Sequence, residues 1–315
     1  MEEKRNYDFL FDMKDEIKKI IKYFSELNYD FSNVEIKEKD SKNFIAIDGG
    51  NNAFKDDLLN FFGCNYIRVV AYSENKVLEK KEFILFEKVP YDLKREQIKK
   101  LNLSIFGDED LILKKLGEKD YHFEKIEENS FTLKIRNLLE LSFLAKYSKD
   151  YLVARDGSFF LPDLIELKKE INRAINKNNV FALAKSSKIL RNKMFLINID
   201  NNSVFKVDKN LLKDFYEAEN LLDFETFLYS HFKSFYQLET LEENLDIVLS
   251  SIKEQIKKGK HGYPRNLIMA DKIAKASDIK VKSLERKLLS MIYQEKEVFE
   301  ILEAIKEKIF QIRKY

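Results

Sequence analysis

Two apolar runs of this chain end alike. Phe44-Ile-Ala-Ile-Asp48 is stopped by Gly49 and Gly50, and Tyr151-Leu-Val-Ala-Arg-Asp156 runs into Gly157. A carboxylate at the tip of a buried strand is held in place, and a glycine after it lets backbone, metal or phosphate come close. Asp48 and Asp156 therefore suit a divalent cation, although each alone also suits the plainer task of capping a turn. A third acid, Glu140, stands inside the apolar stretch Asn137-Leu-Leu-Glu-Leu-Ser-Phe-Leu144, where it either turns to solvent or faces something positive. If the three converge they form an oxygen cluster for Mg²⁺ or Mn²⁺, hard ions that take carboxylate and water ligands at about 2.1 Å. Two such ions about 4 Å apart can activate a water and stabilise the leaving oxygen of a phosphodiester. Like charges about 4 Å apart repel by roughly 4 kcal/mol at an effective dielectric near 20. Converging acids therefore require a cation or a proton.

Cationic and phenolic groups form two further clusters. Gly262-Tyr263-Pro264-Arg265 follows Lys257, Lys258, Lys260 and His261, and Lys185, Lys188, Arg191 and Lys193 follow the apolar run Val180-Phe-Ala-Leu-Ala184. Proline pushes Tyr263 toward an extended backbone, with a helix starting near Pro264 or Arg265. A phenol among cations suits a phosphate or base contact. Solvated basic surface is the alternative for both clusters.

These side chains need elements to hold them. Residues 44–48, 66–73 and 79–89 read as three successive strands, an antiparallel meander, and 131–148 as a helix. Residues 93–120 read as helix and polar loop, 151–158 as strand and turn, and 163–176 as a helix entered near Pro162. Strands are expected at 180–184 and 194–199. After about residue 208 the chain reads as mostly helical, with Leu245, Val248, Leu249, Ile252 and Ile256 in phase, and from Lys282 to Arg313 it reads as helix broken near 293–297. At the other end, Met13, Ile17, Ile20, Ile21, Phe24 and Leu27 form one helical stripe.

Composition closes off other classes. With 44% hydrophobic residues, 26 Phe and 15 Tyr, the 315 residues can bury a large core and are neither disordered nor a coiled-coil rod. Only 8 Gly and 3 Pro argue against a fold of many tight turns. The single Cys64 excludes an internal disulfide and a cysteine zinc site, which fits a reducing compartment. A net charge of +2, from 56 basic and 54 acidic residues, nominates no polyanionic partner by bulk attraction. No stretch approaches the roughly 18 apolar residues of a spanning helix, and the first residues carry acids without an apolar leader, so a cytoplasmic location and no membrane partner are expected. One continuous α/β domain with helical additions at both ends is the expected architecture.

In this order and spacing, AIDGG (46–50), LLELSFLAK (138–146), ARDGS (154–158), AKSSK (184–188) and GYPRNLIMAD (262–271) resemble the motifs of the NurA family of archaeal and bacterial nucleases, from about residue 40 to 280. The resemblance implies a ribonuclease H-like mixed sheet with helical N- and C-terminal additions: an extension over 1–40, a nuclease domain over 41–280 and a helical segment over 281–315. It implies that Asp48, Glu140 and Asp156 bind Mn²⁺ or Mg²⁺, two ions in all, that Tyr263 is the tyrosine of the family's YP motif, and that Lys188 is its lysine. Asp271 stands where the family usually has a histidine; it keeps an oxygen ligand and loses the imidazole, for which the nearby His261 is a candidate substitute. The first motif reads DGG where DGS is common. The implied activity is single-strand endonuclease and 5′ to 3′ exonuclease cleavage of DNA, on single strands and duplex ends, in double-strand break end resection. The implied partners are a HerA-type hexameric ATPase and a second copy of the chain. Two alternatives stand beside it. An actin-like ATPase or sugar kinase also sets two Asp-Gly tips around nucleotide phosphates and Mg²⁺, but it needs a Gly-rich adenosine turn, and after Gly157 only Gly259 and Gly262 remain. A catalytically impaired scaffold for a HerA-like motor is the other.

Overall fold

The computed structural model describes residues 17–19, 22, 32–118, 130–191, 203–216, 219–231, 234–259, 262–295 and 300. Most of the stripe at 13–27, the expected strand at 194–199, Lys193, Lys260, His261 and the chain beyond 300 lie outside the described residues.

Along the chain, β1 (Ser32–Asn33) and β2 (Phe44–Ala53) lead to helix α1 (Asp57–Phe61), then β3 (Cys64–Ser73) and β4 (Lys76–Phe86). Helices α2 (Tyr91–Leu101), α3 (Glu109–Lys115) and α4 (Ser130–Tyr147) follow, then β5 (Leu152–Asp156), α5 (Lys168–Ala174), β6 (Val180–Ala184) and α6 (Lys188–Arg191). The last part holds β7 (Val204–Lys206), α7 (Lys209–Phe215), β8 (Glu225–His231), β9 (Ser234–Thr240), α8 (Leu245–Lys257), α9 (Arg265–Ala274) and α10 (Asp278–Gln294).

The strands make one mixed sheet in the order β1-β7-β8-β9-β6-β5-β2-β3-β4. β2, β3 and β4 form the antiparallel meander, while β5 runs parallel to β2 and β6 parallel to β5. That meander followed by two parallel strands is the ribonuclease H-like arrangement expected above. The described chain after 208 is mostly helical, as expected, but it also holds a pair of strands that the sequence did not suggest: β8 and β9 form an antiparallel hairpin that docks on β6 and extends the sheet. The run from Thr226 to Ser230 is buried throughout, so it lacks the apolar-polar alternation by which a strand announces itself.

Both faces of the central strands are covered, so side-chain parity decides which core a residue joins. Ile45, Ile47, Val69 and Val153 pack with Ile135, Leu138 and Leu141 of α4. Phe44, Ala46, Val70, Ala154, Phe181 and Leu183 pack with Val248, Leu249 and Ile252 of α8 and with Leu267 and Ala270 of α9. Helix α4 is buried over most of its surface beneath the sheet, including the polar Thr132, Asn137 and Glu140. Helix α10 begins at Ser277, whose side chain accepts from the Lys280 N–H, and its Val281 joins Tyr66 and Cys64.

Candidate functional site

The register of β2 on β5 brings the two Asp-Gly pairs together. Ile47 lies opposite Arg155, so Asp48 and Asp156, one residue further on, stand side by side. Asp156 ends β5, whereas Asp48 lies in mid-strand, because Gly49 and Gly50 do not stop β2, which runs on to Ala53 paired with β3. Both point to the face covered by α9. That helix contributes Asp271, and a carboxylate oxygen from each of Asp48, Asp156 and Asp271 lies within 4.8 Å of the others. Helix α9 is seated by two contacts at its end. Arg68 of β3 donates to the Ile273 carbonyl at 2.6 Å, and Gly50 lies so close to α9 that a Cβ there would be 2.6 Å from the Ala274 carbonyl oxygen. The second glycine of Asp-Gly-Gly is thus a packing requirement for the helix that carries the third acid.

Glu140 approaches from the other side. It is buried on α4, below the opposite face of the sheet, where Arg155 also points because it alternates with Asp156. Arg155 Nη2 and Nε lie 2.8 and 2.9 Å from Glu140 Oε2, and Arg136 Nε lies 3.4 Å from Oε1. Oε1 occupies the space that a Gly49 Cβ would fill. That position accounts for glycine at 49, and it leaves Glu140 close enough to Asp48 to act on its charge.

Two lysines and a tyrosine complete the open side. Lys185 Nζ is 3.4 Å from Asp156 and 3.8 Å from Asp271, and it sits over the Tyr263 ring, 5.0 Å from the centroid. Lys275, which caps the C-terminus of α9 four residues after Asp271, brings its Nζ to 2.8 Å from that acid. Tyr263 is buried rather than displayed: its hydroxyl lies 2.9 Å from Asp156 Oδ1 and 2.8 Å from the Leu183 carbonyl, and its one proton serves one of them at a time. Lys188 starts α6, exposed, and it is Lys185, three residues earlier, that reaches the acids.

The charges tell against a bare cluster. Burial first, then repulsion from Glu140, Asp156 and Asp271, pushes the Asp48 carboxyl up to about 8, against the opposing Gly49 N–H. Burial also raises Asp156, partly offset by Lys185 and Tyr263. Burial pushes Asp271 the same way, but Lys275, Lys185 and a hydrogen bond with Asp48 outweigh it, so its carboxyl ends below the ordinary range. Burial, reinforced by Asp156, raises the Tyr263 phenol, which stays protonated. Burial and the neighbouring carboxylates together hold Asp48 neutral to about pH 8, even with Lys185 and Lys275 beside the cluster. The hard oxygen donors of the three acids fit a divalent cation.

The chain is similar to NurA. A crystal structure of NurA matches 92% of this chain and 96% of its own at 12% identity and TM-score 0.45. NurA with manganese matches 90% and 97% at 11% identity and TM-score 0.44, and NurA bound to dAMP and manganese matches 88% and 94% at 13% and 0.41. No family model matches the sequence, and no curated protein does. No helix among the described residues is long and apolar enough to cross a membrane.

Sequence reasoning had passed over Arg155, Arg136 and Lys275. The signal for Arg155 was present: a cation one residue before Asp156 on a strand covered on both faces must find a buried acid on the opposite side. Lys275, four residues after Asp271 on a helix, follows from helical spacing.

Proposed function

We propose that this chain is a metal-dependent nuclease that hydrolyses phosphodiester bonds of DNA. The observation that carries the reading is the convergence of Asp48, Asp156 and Asp271 within 4.8 Å on two adjacent strands and a helix. Asp48, Asp156 and Asp271 would hold one Mn²⁺ or Mg²⁺, and Glu140 would share a second with Asp48. Such ions, when bound, neutralise the acids and supply a water that is nucleophilic at neutral pH.

The chain's own groups do the rest. Tyr263 holds Asp156 in one orientation through its hydroxyl. Lys185 and Lys275 stand beside the acids, where their ammonium groups meet the negative charge that grows on the phosphate oxygens as the water oxygen bonds phosphorus and the P–O bond to the leaving strand breaks. Lys188 and Arg191 extend the basic edge along the incoming strand. These contacts address phosphate, so cleavage is independent of base sequence.

The motif resemblance supports the finer reading: single-strand endonuclease and 5′ to 3′ exonuclease action at DNA ends, in end resection with a HerA-type hexameric translocase, by a homodimer whose nuclease domain spans 41–280. Labelled single-stranded DNA incubated with Mn²⁺, with EDTA, and with the Asp48→Asn and Asp156→Asn variants tests the activity. Cleavage should require Mn²⁺ and disappear in both variants. Activity that persists in either variant overturns the assignment, and intact DNA bound under every divalent metal would favour the scaffold.

A further inference from the structure

Arg155 makes contacts that an ordinary buried ion pair does not need. Its side chain and that of Glu140 are 5% and 2% exposed. Nε and Nη2 both grip Glu140 Oε2. Nη2 also donates to Asn137 Oδ1 at 3.0 Å, and Nη1 donates to the Ser158 carbonyl. One guanidinium therefore ties α4, which carries Glu140, to the turn that follows Asp156. Stability alone accounts poorly for this, because an apolar pair of the same volume avoids the desolvation of two charges and is often as stable or more so. Arg155 also leaves β5 on the face opposite Asp156, so it does not reach the acid cluster directly.

We infer that Arg155 is a positioning residue for the candidate metal centre: by occupying Glu140 Oε2 it leaves Oε1 as the single oxygen that Glu140 presents beside Gly49 toward Asp48. Arg136, 3.4 Å from Oε1, steadies the same oxygen from the next turn of α4. This inference rests on the metal-dependent reading above. It differs from a purely structural role in acting on metal affinity, and in acting through Glu140. Partners that orient ligating carboxylates are typically worth about 10- to 100-fold in metal affinity.

Mn²⁺ titration calorimetry on the full chain, with circular dichroism to establish folding, tests it. Arg155→Met should weaken Mn²⁺ binding by about 10- to 100-fold, while Arg155→Lys, which keeps the charge and one contact to Oε2, should lose less than about 10-fold. In a Glu140→Gln background, Arg155→Met should cost less than about threefold more, because the group it positions is already altered. A folded Arg155→Met variant that binds Mn²⁺ within about twofold of the unmodified protein overturns the inference. So does an undiminished loss in the Glu140→Gln background. If Arg155→Met does not fold because it leaves the Glu140 charge unpaired, Arg155→Lys decides instead: a loss of about three- to tenfold in Mn²⁺ affinity that disappears in the Glu140→Gln background is expected, and a folded Arg155→Lys variant that binds Mn²⁺ within about twofold of the unmodified protein overturns the inference. Absence of Mn²⁺ binding in the unmodified protein overturns the metal reading and this inference together. Normal binding there with no effect of Arg155 overturns this inference alone.

Discussion

With no cation bound, Asp48 keeps its proton to about pH 8, against an ordinary value of 3.8. Between those values the native protein holds a proton that the unfolded chain has released, so stability declines as pH rises. The metal-free protein should therefore show a melting temperature that falls from pH 5 to pH 8, and Asp48→Asn should flatten the fall and melt no lower than the unmodified protein at pH 8. Scanning fluorimetry in EDTA checks this; a clear drop in the variant would make Asp48 a structural cap instead. Because an ion must displace that proton, Mn²⁺ affinity should climb with pH up to about 8. Tyr263→Phe keeps the buried ring and deletes the hydroxyl beside Asp156, which should cost about 1 kcal/mol in urea unfolding. At this scale Asp48 and Asp156 were legible because an apolar run before and a glycine after mark each of them, although β2 runs on beyond Asp48 to Ala53. The partnership of Glu140 with Arg155 was not, because it depends on which face of β5 each residue takes. Asp271 entered through the motif resemblance, and only the fold shows that α9 lies over the face to which Asp48 and Asp156 point.

Elements place these groups, and the closest fit is α9 against β2. Gly50→Ala sets a Cβ 2.6 Å from the Ala274 carbonyl, a backbone atom that moves only if α9 shifts. Overpacking of this kind costs about 1 to 3 kcal/mol, and the shift carries Asp271 away from Asp48. Urea unfolding and Mn²⁺ titration of Gly50→Ala should therefore both show a loss, whereas an unchanged Mn²⁺ affinity would mean that α9 is not held by this contact. The meander, β5, β6, α4 and α8 could be read from the sequence because each has a clean period or clear stops. The β8–β9 hairpin could not. Glu239 lies within it, fully buried and satisfied by Ser158, Phe159, Asn220 and Gln237, so a polar residue there signals a network and not a solvent face.

Across the whole molecule, binding at the acid cluster should appear as global stability, since the acids are shared by two central strands and a packed helix. An ion bound only by the native state at about 100 times its dissociation constant stabilises by about 2.7 kcal/mol. Mn²⁺ should thus raise the melting temperature by several degrees, EDTA should reverse the rise, and Asp156→Asn should show none. The near-balanced charge, +2 over 315 residues, means that on the proposed function attraction for a DNA strand would be local to the lysine-lined edge and not a property of the whole surface. The most direct test is anomalous diffraction at the manganese edge from crystals grown with Mn²⁺. A peak about 2.2 Å from one oxygen each of Asp48, Asp156 and Asp271 is the predicted result, and a map with no peak among these three carboxylates, or with its peak elsewhere, would contradict the account.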